Sequence, residues 1–336
     1  MSDKHSDVRV RAAEGGYDVV VVGGGAAGLS TALVLARACR RVAVVDAGQP
    51  RNAPAAHMQG FLSRDGMAPA ALLESGRAEL RGYGVDLLDG RVERIVPVPG
   101  AGAPAFDVHP AGGRALRARR VVVATGLRDG LPELPGLAAR WGRDVLHCPY
   151  CHGYEVRDRP LGVLGTDPGS VGQALLLRQW SADVVLLAHA LDLSADDRAR
   201  LGARGVRVVE GEVRRVVVVD DRLHGVELAD GAVVPREALF LVPQLAPRDA
   251  PLFGLDCDRD ARGWVGTDRA GRTSVPGVWA VGNLADPRAQ VITAAGAGSA
   301  AAIALNHDLV DEDTERALAA VTAPLATAAP TAAPAR

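Results

Sequence analysis

A chain of 336 residues with 48% hydrophobic and 23% charged side chains and a formal net charge of −2 has the balance of a soluble globular protein. Its length exceeds what one core usually holds, so two domains are expected. Scattered arginines matched by carboxylates, and only 4% aromatic residues, argue against a nucleic-acid surface, and no apolar run reaches the length of a membrane span.

Residues 1–16 are polar and charged without the apolar core of a secretory signal, so they are expected to be disordered and the protein cytoplasmic. Asp18–Val22 then reads as a buried parallel strand, and Gly23-Gly24-Gly25-Ala26-Ala27-Gly28 opens a helix carrying Leu29, Ala32, Leu33, Leu35 and Ala36. Gly23 permits a tight turn, Gly25 admits a pyrophosphate close to the backbone, and Gly28 lets helix and strand touch. The amides around Ala26 and Ala27 and the helix dipole favour phosphate. A second strand, Arg41–Val45, ends at Asp46, placed to accept hydrogen bonds from a ribose, with Ala47 beside it. The fingerprint alone leaves FAD and NAD open.

Cys39 falls in the alanine-rich helical pattern and Cys257 in a polar stretch, and neither is assigned a role. Val121–Val123 is another buried strand, turning at Ala124-Thr125-Gly126. After the proline-rich Leu131–Gly136 comes Cys148-Pro149-Tyr150-Cys151, flanked by His147 and His152. Two cysteines so spaced can close a small disulfide, and in a reducing compartment such a pair is more plausibly catalytic than structural. His152, titrating near neutrality, is the candidate base and acid, and His147 is a weaker one that reads equally well as a surface histidine. Half a zinc site or two buried cysteines are the alternatives, but two ligand pairs within six residues would strain a tetrahedral zinc site, and no metal is expected. Trp180 is assigned to core packing. Beyond Pro243–Pro247, a second proline-rich crossing, Gly277–Asn283 forms a strand and turn and Ala289–Gly296 a small-residue helix. The alanine-, threonine- and proline-rich tail from about Ala320 is predicted to be disordered.

In order and spacing, the glycine turn, the Val121–Gly126 strand and the Gly277–Gly296 segment resemble the two-dinucleotide-domain disulfide oxidoreductases. The cysteine pair, lying after the Ala124-Thr125-Gly126 turn, resembles the thioredoxin reductase arrangement. The resemblance spans about Asp18 to Leu309. It implies an α/β protein with two Rossmann-like domains, the second inserted into the first. Residues 17–128 and 244–315 would bind FAD, and residues 129–243 would form an NAD(P)-binding-like domain carrying the cysteines. It further implies a homodimer, with Arg51, Asn52, His57 and Gly60–Leu62 wrapping the flavin. Gly282 and Asn283 would lie at the ribityl chain, where the family has aspartate for Asn283, and the amides of Gln290 and Val291 near the flavin ring.

The inserted domain departs from that pattern. After the strand Leu161–Leu164 comes Gly165-Thr166-Asp167-Pro168-Gly169-Ser170, in which Asp167 takes the glycine position nearest the pyrophosphate and Pro168 removes a donor. The family's His-Arg-Arg motif becomes His189-Ala190-Leu191, lacking both cations that hold the 2′-phosphate of NADPH. Loss of productive NADPH binding is expected, the alternative being a shifted pose on Arg178 or Arg198. With the CPYCHGYE string, this resembles the FAD-dependent dithiol oxidases of the gliotoxin and holomycin type. That resemblance implies attack of a substrate thiolate on Cys148, passage of two electrons from Cys151 to FAD, and O₂ as acceptor giving H₂O₂. Two other readings are an NAD(P)H- or ferredoxin-driven disulfide reductase and a redox-sensing flavoprotein without turnover.

Overall fold

The computed structural model describes residues 16–100 and 103–322. The disorder predicted for residues 1–16 and 320–336 therefore lies largely outside the described residues. Strand β1 (Tyr17–Val22) leads through helix α1 (Ala26–Arg37) to the parallel β2 (Val42–Asp46). Val19–Val22 are buried throughout rather than alternating, because both faces of the sheet are covered. Helix α1 ends at a left-handed Cys39 (φ 59), where the Cys39 and Arg40 amides bond back to the Ala36 and Leu35 carbonyls. Cys39 thus lies past the helix, contrary to the alanine-rich pattern, because this Schellman-type stop does not require glycine.

The chain continues through α2 (Pro69–Gly82), β3 (Asp86–Asp89), the antiparallel pair β4 (Val92–Pro97) and β5 (Phe106–Pro110), and β6 (Leu116–Val123). Next come β7 (Leu127–Gly130), α3 (Leu137–Arg140), β8 (Val145–Leu146) and α4 (Pro149–His152). A second parallel unit follows, comprising β9 (Leu161–Leu164), α5 (Gly169–Leu177), β10 (Val184–Leu187), α6 (Ala195–Ala203) and β11 (Arg207–Val209). An antiparallel meander, β12 (Val213–Val219), β13 (Arg222–Leu228) and β14 (Val233–Pro235), precedes β15 (Ala238–Leu241). The chain then adds β16 (Gln244–Pro247), β17 (Val278–Ala280) and α7 (Val291–Thr322).

The first sheet runs β3-β2-β1-β6-β5-β4, with β17 parallel to the end of β6, so strands from both ends of the chain share it. The second runs β11-β10-β9-β15-β8 and is wholly parallel. Helices α1, α2 and α7 cover one face of the first sheet, and α5 and α6 cover one face of the second with the β12–β14 meander on its other face. Parallel strands so arranged leave a crevice at their carboxyl ends. Between the sheets, β7 and β16 pair antiparallel, Leu127 opposite Pro247. The predicted crossing at Pro243–Pro247 thus lies in a ribbon, whereas Leu131–Gly136 follows β7 as an irregular link to α3.

Helix α7 crosses α1 closely: a Cβ on Gly298 would stand 2.1 Å from the Ala27 carbonyl oxygen, and Thr31 donates to the Gly298 carbonyl at 3.1 Å. Its later turns are tied to β6 by Arg119 and Arg120, which pair with Asp308, Glu312 and Asp313 at 2.6–3.0 Å. Removing one partner of a buried pair such as Arg120–Glu312 costs about 3–5 kcal/mol. So anchored, and rich in alanine, α7 continues to Thr322, correcting the tail predicted to begin at Ala320.

Candidate active site

Strands β1, β2, β6 and β17 end together, and the residues that follow them build a cradle. At Gly23 (φ +106) a Cβ would lie 2.5 Å from the Ala124 carbonyl oxygen, and at Gly28 it would lie 1.9 Å from that of Gly23. Gly25, by contrast, faces no described atom within 4 Å, which leaves room for a phosphate at the start of α1, beside Ala26 and Ala27. Gly24 is a requirement that sequence reasoning missed, since a Cβ there would meet the Asp46 carboxylate at 2.7 Å. That carboxylate is held by Arg77 of α2 at 2.6 Å. Asp46 and Ala47, with Asp89 and Arg91, line a pocket of about 370 Å³ at the strand ends. Gly28→Ala, forcing Cβ into the turn, is expected to yield protein with little flavin, read as the 450 nm to 280 nm absorbance ratio after purification.

The far side of the cradle is tied together by long-range bonds. The Ala124 amide donates to the Val22 carbonyl at 2.7 Å, the Thr125 hydroxyl to the Arg248 carbonyl at 2.6 Å, and Gly126 accepts from the Arg248 amide at 2.9 Å. Gly282 (φ +67) leaves no room for a side chain, as its Cβ would meet that of Ala27 at 2.9 Å. Asn283 donates through Nδ2 to the carbonyls of Asp286 (3.0 Å) and Ala289 (2.9 Å), two bonds that an aspartate could not make. Gln290 and Val291 stand at the start of α7, whose first amides lack acceptors within the helix. The Gln290 Oε1 lies 3.3 Å from the Cβ position of Gly60, so the loop after β2 reaches this helix. Open space at Gly25, phosphate donors at α1 and a carboxylate at the end of β2 together fit FAD.

Arg51 behaves differently from the other predicted contacts. Its guanidinium is engaged by Asp129 on β7 at 2.6 and 2.9 Å, a partner 78 residues away. Asn52 is half-buried in the same turn, and His57 is exposed with Nδ1 3.0 Å from the Gly66 carbonyl oxygen.

The cysteine pair is placed by the second sheet. Strand β8 runs parallel to β15, with Val145 opposite Leu239 and Leu146 opposite Phe240, and the next residues are His147 and Cys148. Pro149 starts the short α4, Cys148 caps it, and the Cys148 Sγ accepts from the Cys151 amide at 3.2 Å. Cys148 and Cys151 form a disulfide with a Cα–Cα distance of 5.2 Å. Beneath α4, Trp180 lies where a Cβ on Gly153 would meet it at 2.9 Å, and it meets the exposed Tyr150 edge-on at 5.6 Å. Burial lowers the pKa of His147, as does nearby Arg51, while its bond to Leu241 and the charge of Asp129 oppose this. Burial also lowers that of His152, which Glu155 raises and His147 lowers further. Both shifts favour the neutral form of the ring. Among the described residues no group of three His, Cys, Asp or Glu side chains is arranged to hold a metal.

At the end of β9, Gly165 approaches the next strand closely, its Cβ position 2.4 Å from the Ala188 carbonyl oxygen. Helix α5 then begins, and the Asp167 Oδ1 accepts from the Gly169 amide at 2.7 Å. A carboxylate of the chain itself thus occupies a donor at the helix start, where a pyrophosphate would otherwise sit. The His189 Nδ1 accepts from the Val213 amide at 3.0 Å, tying β10 to the meander. Arg178 donates to the carbonyls of Arg204 and Ser181, and Arg198 pairs with Glu210 at 2.5 Å. Among the described residues no helix is long and apolar enough to cross a membrane.

Residues 17–299 match the family described as pyridine nucleotide-disulphide oxidoreductase. Among curated proteins, the chain is 30% identical over 313 residues to "Thioredoxin reductase sirT" of Leptosphaeria maculans, covering 88% of this chain and 95% of that one. Among solved structures, that of HlmI is 64% identical with a TM-score of 0.90, covering 92% of this chain and 98% of that one. A putative thioredoxin reductase from Bacillus anthracis is 29% identical with a TM-score of 0.83, over 88% and 99% of the two chains.

Proposed function

We propose, for a chain that belongs to the pyridine nucleotide-disulphide oxidoreductase family and is an FAD-dependent thiol–disulfide oxidoreductase, that its substrate is a small-molecule dithiol and its electron acceptor O₂. The observation that carries this reading is Asp167, whose carboxylate caps α5 where a nicotinamide nucleotide would place its phosphates. A disulfide oxidoreductase without a nucleotide reductant can draw its electrons from a thiol through its cysteine pair.

In the proposed sequence a substrate thiolate attacks Cys148, breaking the Cys148–Cys151 bond and releasing the Cys151 thiolate. The second substrate thiol attacks the substrate sulfur of the mixed disulfide, releasing the cyclic disulfide product and the Cys148 thiolate. His152, neutral and half-buried, takes the proton from an incoming thiol. FAD, when bound, supplies a two-electron acceptor that reoxidises the cysteine pair and passes the electrons to O₂, giving H₂O₂. Natural-product biosynthesis is the proposed setting, and a cytoplasmic homodimer the proposed form. The division into an FAD-binding domain (17–128 and 244–315) and an inserted domain (129–243) belongs to the same reading.

Anaerobic titration tests this reading. Flavin bleaching by dithiothreitol but not by NADPH or NADH, with H₂O₂ formed on admitting air, is the expected result. Fast bleaching by a nicotinamide nucleotide or by reduced ferredoxin would mean a disulfide reductase instead. Bleaching without turnover in air would mean a redox sensor.

A further inference from the structure

Gln173 sits in the middle of α5, 92% buried, with its amide nitrogen against two backbone carbonyls: that of His147 at 2.6 Å and that of Leu241 at 3.3 Å. The Leu241 carbonyl also lies 3.2 Å from the His147 Nδ1. A carbonyl only accepts, so the proton of His147 is on Nδ1 and the lone pair on Nε2. Both acceptor positions of the Leu241 oxygen are thereby engaged, one by the ring and one by Gln173. The Gln173 Oε1 is buried and has no hydrogen-bond partner among the described residues, so the two donated bonds alone set the direction of the amide. The geometry ties α5 to the ends of β8 and β15.

We infer that Gln173 is a positioning residue for the redox turn: its amide fixes the His147 backbone and, through the shared Leu241 carbonyl, the His147 ring, and so sets where the next residue, Cys148, presents its sulfur. The inference deepens the dithiol-oxidase reading and rests on it only in treating Cys148–Cys151 as the point at which a dithiol delivers electrons. A carboxylate at this position would face two carbonyl oxygens with no proton to offer, which is why glutamine and glutamate are not equivalent here. Around the His147 ring the other charged or titratable groups are Arg51, Asp129 and His152.

The test uses the flavin-loaded full chain under anaerobic conditions, with dithiothreitol as the probe and the rate of flavin bleaching as the readout. Wild-type bleaching tests the underlying reading independently, and its absence would sink that reading rather than this one. Gln173→Met keeps the volume and removes both donors, and is expected to slow bleaching by on the order of tenfold. Gln173→Glu donates only when protonated, so its rate relative to wild type is expected to be highest at low pH and to fall toward the Gln173→Met level as pH rises. In a His147→Asn background, Gln173→Met is expected to slow bleaching less than it does alone, since the link through the ring is already gone and only the bond to the residue 147 carbonyl remains to be lost. Overturning results are a wild-type rate in Gln173→Met, a pH-independent ratio for Gln173→Glu, or full additivity with His147→Asn. If Gln173→Met loses flavin, the Gln173→Glu pH series decides alone.

Discussion

Serine in place of Cys148 or of Cys151 is expected to abolish flavin bleaching by dithiols, a loss on the order of a thousandfold or more. Each sulfur performs a step that oxygen cannot, since a serine neither forms nor accepts the mixed disulfide. The two variants are nevertheless not equivalent. The Cys148 sulfur accepts a hydrogen bond from the residue 151 amide, a bond that survives in Cys151→Ser because it comes from the backbone. Cys148 should therefore remain in that variant as the free sulfur facing the residue 151 amide and be captured by an activated aromatic disulfide, with release of one equivalent of the aromatic thiol. Cys39 is exposed and would also react, so the measurement belongs in a Cys39→Ser background. Fast capture by Cys151→Ser with slow capture by Cys148→Ser supports Cys148 as the sulfur that meets substrate. The reverse order would exchange the two roles while leaving the overall chemistry intact.

The parts of the site that were legible in the sequence are those written within a few residues. The glycine turn, the carboxylate ending β2 and the cysteine pair each follow from local spacing and from the burial of valine runs. Residues paired across long stretches were not legible. Arg77 grips Asp46 from 31 residues away, Arg51 binds Asp129 across 78, and Gln173 meets Leu241 across 68. Nothing in a local pattern marks such pairs, because the fold alone brings them together. Helix α7 was underestimated for a related reason. Gly296 and Gly298 weaken its local propensity, while close packing against α1 and the ion pairs to β6 compensate. At Asn283, where the family has aspartate, the sequence does not reveal the two donated bonds that close the turn before α7.

Asp167→Asn is expected to begin restoring a nicotinamide-nucleotide site, and Asp167→Gly combined with Pro168→Ala and Ala190→Arg to carry it further. Asparagine keeps the acceptor that caps Gly169 while removing the charge, so this single change isolates electrostatics from shape. Asp167 is exposed, so its charge, about 4 Å from a phosphate, is screened by water and opposes binding by about 1 kcal/mol, about fivefold in affinity. Glycine then opens the close approach, and alanine returns the amide that proline lacks. At the far end, Ala190 is exposed and can accept arginine without repacking. Leu191 is half-buried, with a methyl group 3.0 Å from the Cβ position of Gly165, and is better left in place. Losing the Asp167–Gly169 bond removes one local, exposed turn contact ahead of α5, tolerable in a sheet whose strands are fully buried. Isothermal titration with NADPH should show no binding in the wild type, weak binding in Asp167→Asn and tighter binding in the triple variant. Equal binding by all three proteins would mean that the Asp167 cap does not exclude the nucleotide. No binding by a folded, flavin-loaded triple variant would place the barrier elsewhere in the second sheet.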